Sequence, residues 1–175
     1  MPIFTENIAI RRYEPGDAEK LWPILSDPIT MSFWPVALTR QMVENWLERS
    51  LESYDRYGFG RYAVALQKTG ELVGDAGIIR AIVAGEEVND LGYIIHHPYW
   101  RRGYATEAVS AIKDYAFTTL GLAKLHANMP WNHHGSRRVA EKIGMQFIRE
   151  FENERNRNIR TFLYAIARPA TGALE

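Results

Sequence analysis

The segment His96-His97-Pro98-Tyr99-Trp100-Arg101-Arg102-Gly103-Tyr104-Ala105-Thr106-Glu107 puts cationic side chains, a glycine and a hydroxyl just ahead of the clearest amphipathic pattern in the chain. The first turn of a helix leaves backbone N–H groups without partners, and the helix dipole adds partial positive charge there, so such a start favours an anion. Arg101 and Arg102 supply charge-assisted donors. Gly103 lets the backbone come close to a phosphate, Ala105 keeps the approach small, and the Thr106 hydroxyl is one more donor. The run from Arg101 through Tyr104 to Thr106 suits a pyrophosphate.

Other chemistry-bearing patterns are weaker. Gly58-Phe59-Gly60-Arg61-Tyr62-Ala63 imitates a dinucleotide fingerprint, but it follows a helical pattern and enters a strand, the reverse of the required order. His96-His97, His126 and His133-His134 lack the four-residue helical spacing with glutamate of the zinc proteases, so no metal is expected. There is no phosphate-binding loop ending in Gly-Lys-Ser/Thr and no Gly-x-Ser-x-Gly elbow. The absence of cysteine removes disulfides, thiolate metal sites and a cysteine nucleophile.

The elements that must position the 96–107 segment follow from periodicity. Asn7 to Tyr13 alternates as a strand, and Pro15-Gly16-Asp17 predicts a turn and helix cap before Ala18 to Leu25. Thr39 is a good N-cap for a second helix through Met42, Trp46, Leu47, Leu51 and Tyr54, with Gly58 as terminator. Arg61 to Gln67, Glu71 to Arg80 and Asn89 to His96 predict a three-stranded meander, its turns at Lys-Thr-Gly and Ala-Gly-Glu-Glu. From Gly103, residues Ala105, Ala108, Val109, Ile112, Tyr115 and Ala116 share one helical face that ends near Leu120-Gly121. Leu125 to Met129 predicts a strand, Ser136 to Ile143 a helix closed by Gly144, and Phe147 to Glu152 and Thr161 to Ala167 two final strands. The strands flanking the Gly103 helix should be parallel neighbours joined by a right-handed crossover. The expected fold class is α/β (α+β), about seven strands in a mostly antiparallel sheet with about four helices on both faces.

At 175 residues, with no linker or repeat, residues 1–175 are read as a single domain. Apolar residues make up 46%, and 21 basic residues balance 21 acidic ones. That balance removes the electrostatic attraction behind most nucleic-acid binding. No apolar run is long enough to span a membrane, and the N-terminus lacks the pattern of a secretory signal, so neither export by a standard signal nor a membrane span is expected; the absence of cysteine makes a cytoplasmic setting the expectation.

Leu91-Gly92-Tyr93-Ile94-Ile95-His96 followed by Tyr99-Trp100-Arg101-Arg102-Gly103-Tyr104-Ala105-Thr106-Glu107-Ala108 resembles the coenzyme A motif of the GNAT superfamily, as found in ribosomal-protein N-acetyltransferases of the RimJ/RimL type. The likeness extends to Ile10-Arg11-Arg12 with Asp17-Ala18, to Phe33-Trp34-Pro35, and to Ser136 with Glu141-Lys142-Ile143-Gly144-Met145. It implies transfer of acetyl from acetyl-coenzyme A to an amine by direct attack, in a monomer or homodimer. The pantetheine arm would pair with backbone at Ile94, Ile95 and His96, and the pyrophosphate would rest on Arg101 to Thr106. Ser136 matches the serine placed near the sulfur, and Trp34, with Phe33 and Pro35, would wall the acceptor cleft. Two departures stand out. Trp100 replaces the usual Gln or Arg, and Asn132 and Ser136 are four apart where the family has three, so either Asn132 or His133 could face the pantetheine arm.

Acyl transfer to an amine requires a neutral amine, stabilisation of the oxyanion and a proton for the departing thiolate. The resemblance gives the oxyanion to a backbone N–H of the Ile94-Ile95 strand. The thiolate falls to Ser136, which could instead serve only as a helix cap. Asp90, His96, His126, Glu152 and Glu154 are the candidate bases, with a water chain as an alternative. The acceptor is a protein N-terminus or a small amine. A coenzyme A-binding module without catalysis is the competing reading.

Overall fold

A computed structural model describes residues 2–170 of the chain. Its elements are β1 (Ile3–Phe4), β2 (Ile8–Arg11), α1 (Asp17–Leu25), α2 (Arg40–Tyr57), β3 (Arg61–Leu66), β4 (Leu72–Val83), β5 (Glu86–Ile95), α3 (Tyr104–Thr118), β6 (Lys124–Pro130), α4 (His134–Lys142), β7 (Gln146–Asn153) and β8 (Ile159–Ala167). The strands form one eight-stranded sheet in the order β1-β2-β3-β4-β5-β6-β8-β7. Every neighbouring pair is antiparallel except β5 and β6. The strand beyond the expected seven is the two-residue β1, too short to show a period.

Strand alternation divides the core between the two sheet faces. On one face Ile10, Val64, Leu91 and Ile95 pack with Ala108, Val109, Ile112 and Ala116 of α3 and Ala140 of α4. On the other, Ala63 and Ile94 pack with Leu21, Ile24 and Leu25 of α1 and Val43 of α2. The α3 residues recur at the helical period, and each fully buried aliphatic such as Ile112 contributes roughly 1.5–3 kcal/mol, so this face fixes where α3 begins.

The expected helix ends largely hold. The Thr39 hydroxyl accepts from Met42 N at 3.3 Å, and Gly58 closes α2 with φ 77°. Asp17, however, is the first helical residue, and Gly16 takes the cap position. Its carboxylate receives the guanidinium of Arg11 at 2.6 and 3.0 Å and Glu14 N at 2.9 Å. The meander turn is also tighter than the polarity suggested: β4 and β5 run on to Val83 and Glu86, with Ala84 and Gly85 at φ 50° and 84°. Two consecutive positive φ values are what a two-residue hairpin needs to match strand twist.

Candidate active site

The parallel pair β5 and β6 meets at a single register position, Asp90 opposite His126. Beyond it the strands separate: β5 stays paired with β4 as far as Ile95, and β6 stays paired with β8 as far as Pro130. A cleft of about 980 Å³ opens between them, with the N-termini of α3 and α4 following the two strand ends. Ladder alternation decides which backbone groups of β5 face this opening. His96 N donates to Val73 O at 2.9 Å, so His96 and Ile94 turn their amides to β4, while Tyr93 and Ile95 turn theirs to the cleft. The Ile95 carbonyl is already occupied by the Trp100 indole N–H at 2.6 Å. That bond explains the departure at Trp100: the residue secures the end of β5 and is not free to meet a phosphate.

The turn after β5 leads into α3 through Gly103 at φ 88°, with no side-chain cap. The first helical bond runs from Glu107 N to Gly103 O at 3.0 Å, leaving the amides of Tyr104, Ala105 and Thr106 without helical partners. A Cβ built on Gly103 meets no atom within 4 Å, so glycine is required there for its φ. Arg101 and Arg102 are exposed and form no ion pair among the described residues; Arg102 lies over the Tyr99 ring at 5.2 Å. Glu107 points away, accepting from Thr5 Oγ1 at 2.5 Å and Asn7 N at 2.8 Å, which ties the N-terminal arm to the first turn of α3. The turn thus presents three uncapped backbone amides beside two exposed arginines.

At the start of α4 the cap is His133: its ring Nδ1 accepts from Ser136 N at 3.2 Å. Ser136 therefore lies inside the first turn with its hydroxyl spared for other partners. Burial holds the His133 imidazole in its neutral form, with a pKa lowered to about 4, and the ring stacks on Phe33 at 3.7 Å between centroids. His133 and Ser136 both line the cleft, whereas Asn132 is exposed outside it. The Tyr93 phenol, which sequence reasoning missed, is pushed above its usual pKa by burial, a shift opposed by the nearby Ser136 hydroxyl.

The opposite side of the cleft carries Trp34, Trp46, Arg61, Asp90 and Asn128. Trp34 packs edge-on to Trp46 at 5.7 Å, and Asn156 Nδ2 donates to Phe33 O at 2.9 Å, which holds the Phe33-Trp34-Pro35 segment against the loop after β7. Beneath them Asp75 is fully buried and accepts from Arg61 Nε at 2.6 Å and Trp46 Nε1 at 3.1 Å, with Tyr13 Oη and Arg61 Nη2 as further donors. A Cβ on Gly92 would lie 2.6 Å from Arg61 Nη1, so the glycine makes room for the guanidinium below the cleft floor. Asp90 sits at the apex where the strands part; Asn128 Nδ2 donates to both its oxygens at 3.0–3.1 Å. Burial raises its pKa to about 6, opposed by Asn128 and the charge of Arg61. Among the candidate bases, Asp90, Glu152 and Glu154 line the cleft, and His96 and His126 do not.

The acetyltransferase (GNAT) domain model matches residues 7–146. The uncharacterized protein YkkB of Bacillus subtilis is 30% identical over 146 residues, covering 83% of this chain and 85% of its own. The crystal structure of a GNAT-family acetyltransferase from Bacillus anthracis superposes with a TM-score of 0.83 at 26% identity, covering 97% of this chain and all of that one. The ribosomal α-N-protein acetyltransferase RimL, solved with coenzyme A, shares the fold at a TM-score of 0.78 and 12% identity, over 95% and 98% of the two chains. With the family model spanning residues 7–146, this protein belongs to the GNAT acetyltransferase family and is an acyltransferase, whose family donor is acetyl-coenzyme A.

Proposed function

We propose that this protein moves acetyl from acetyl-coenzyme A to a primary amine by direct attack in a ternary complex, all within one domain. The observation that carries the reading is the parting of β5 and β6 at Asp90, with cleft-facing amides on one wall and a partly buried carboxylate at the apex. Pantetheine runs along the backbone of Tyr93 and Ile95, and Ile94 and His96 support that strand from the β4 side. The pyrophosphate takes the free amides of Tyr104, Ala105 and Thr106, with Arg101, Arg102 and Gly103 at the turn. His133 serves the arm more directly than Asn132 because it lines the cleft. Replacing both Arg101 and Arg102 by Ala is expected to weaken acetyl-coenzyme A binding about tenfold in calorimetry, the effect of losing one to two kcal/mol of charge-assisted bonding. Unchanged affinity would remove the arginines from the phosphate site.

The neutral amine attacks the acetyl carbon and gives up a proton from its nitrogen to Asp90 as the C–N bond forms, and the Ile95 N–H meets the oxygen that becomes negative. The carbon–sulfur bond then breaks and the thiolate takes a proton from the Ser136 hydroxyl, which regains one from water as Asp90 releases to water the proton it took. Ser136→Ala should lower kcat about tenfold, the worth of one hydrogen bond made in the transition state, and leave the dissociation constant of acetyl-coenzyme A within about twofold. Wild-type turnover in a stable variant would retire the role.

The acceptor is a protein N-terminus or a small amine. The first is supported by RimL, which acts on a ribosomal protein's α-amino group, and the mixed charge of the cleft mouth, with Arg49, Glu52, Arg56, Glu152 and Arg155, accommodates either. Thiol release from acetyl-coenzyme A against a panel of N-terminal peptides and small amines tests the whole reading. Binding of the donor without thiol release for any amine would favour a non-catalytic coenzyme A-binding module.

A further inference from the structure

Away from the acetyl-transfer cleft, the fold brings three metal-ligating side chains together at the end of β5. Ligand atoms of Asp27, His96 and His97 all lie within 4.8 Å of one another. Asp27 belongs to the turn after α1, and the two histidines begin the segment that leads to the phosphate turn. The cluster is held in shape by its surroundings. Thr30 N and Thr30 Oγ1 donate to Asp27 Oδ2 at 2.8 and 2.5 Å, and His97 N donates to Thr30 Oγ1 at 3.0 Å. His97 Nδ1 meets the same carboxylate oxygen at 2.7 Å. Asp27 Oδ1 and both ring nitrogens of His96 have no hydrogen-bond partner among the described residues, and the His96 and His97 rings stand perpendicular at 5.3 Å.

Two imidazoles and one carboxylate are the donor set of zinc and its neighbours in the first transition row, not of calcium or magnesium, which take oxygen ligands. An ion bonded at about 2.0–2.2 Å separates its tetrahedral ligands by roughly 3.3–3.5 Å. The ligand atoms already lie within 4.8 Å of one another, with His97 Nδ1 and Asp27 Oδ2 at 2.7 Å, so small rotations about χ1 and χ2 close the shell. The Thr30 contacts are the outer-shell bonds that fix a ligating carboxylate. We propose that Asp27, His96 and His97 form a three-ligand site for a zinc-class divalent ion, its remaining positions filled by water. Such an ion joins the segment leading to Phe33-Trp34-Pro35 with the segment leading to Arg101–Thr106, so its occupancy couples the acceptor wall to the phosphate turn. The spacing rules of sequence motifs miss the site because its third ligand comes from a turn seventy residues before His97.

The test uses the full chain without a histidine tag, with neither acetyl-coenzyme A nor amine, so its outcome is separate from that of acetyl transfer. Zinc is titrated in competition with a chromophoric chelator, and Co²⁺ is added to a second sample to read its visible ligand-field spectrum. One equivalent should bind at micromolar concentration, and Asp27→Asn and His96→Asn should each weaken it at least tenfold, with His126→Asn as an unaffected control. If Asp27→Asn unfolds through loss of the Thr30 turn, His96→Asn decides, because its ring forms no hydrogen bond. Absence of a stoichiometric site, or binding indifferent to His96→Asn, overturns the proposal.

Discussion

Asp90→Asn should lower kcat/KM by about 100-fold or more, the range lost when a positioned general base is removed. The substitution keeps the shape of the side chain and one of its contacts with Asn128, so the loss reports the proton and not the packing. In the wild type kcat/KM should rise with pH through about 6 and then level, because the carboxylate is the active form and burial has raised its pKa to that value. The variant should lack this limb. Stability should move the other way. A carboxyl whose folded pKa lies above its unfolded value of 3.8 binds more protons folded than unfolded between the two, so stability falls as pH rises from about 4 to about 6 and stays lower above that. Asp90→Asn removes that cost and should therefore melt no lower than wild type at pH 8 while being far less active. Thermal melts at pH 5 and pH 8 beside a pH–rate profile read both signs. An unchanged acid limb in the variant would move the base to Glu152 or Glu154, which share the cleft.

This inverse relation between activity and stability arises because Asp90 is held where it is costly to ionise. Of the polar contacts that would offset burial, it has one amide and the more distant charge of Arg61. The carboxylate of Asp17 shows the contrast: a bidentate arginine and a backbone amide lower its pKa despite burial, as in a structural ion pair. Burial weighs on both, and the partners decide the sign.

The same contrast shows what could be read from the chain. The turn into α3 was legible because its parts are contiguous: the arginines, the glycine and the first residues of the helix they precede all lie within Arg101 to Thr106. Caps at Thr39 and Gly58 were legible for the same reason. The Ile10-Arg11-Arg12 and Asp17-Ala18 segments carried family likeness without a reason, and the reason is the bidentate bond between Arg11 and Asp17. By contrast, Glu86 and Glu87 looked like a loop, yet the outer part of the β4–β5 ribbon is solvated and pairs such residues as Arg80 and Glu87 at 3.2 Å. The insertion of β8 between β6 and β7 leaves no mark on local periodicity. The cleft is assembled from α2, β3, β5, β6 and two loops, so Arg61, Asn128 and Tyr93 could be found only once those elements were in place. His133 was missed as a cap because imidazole rarely fills that position, where Ser, Thr, Asp and Asn lead.

Arg61→Met should destabilise the protein by roughly 3–5 kcal/mol, because it leaves the fully buried carboxyl of Asp75 without its cation. For a chain of this length that corresponds to a fall in melting temperature of roughly 6–20 °C. The neutral donors do not make up the loss: Trp46 Nε1 holds one oxygen at 3.1 Å, and the Tyr13 phenol, its pKa raised by burial and by Asp75 itself, donates one proton. The methylene stem of Met fills most of the space of the guanidinium, so little of the loss is cavity. Adding Asp75→Asn should restore a large part of it, since the amide oxygen still accepts from Tyr13 and Trp46 while the uncompensated charge is gone. Chemical denaturation of the two single variants and the double variant closes the cycle. A single-variant loss below about 1 kcal/mol would mean that water reaches Asp75 and that this pair is not the rigid floor beneath Gly92 and the acceptor cleft.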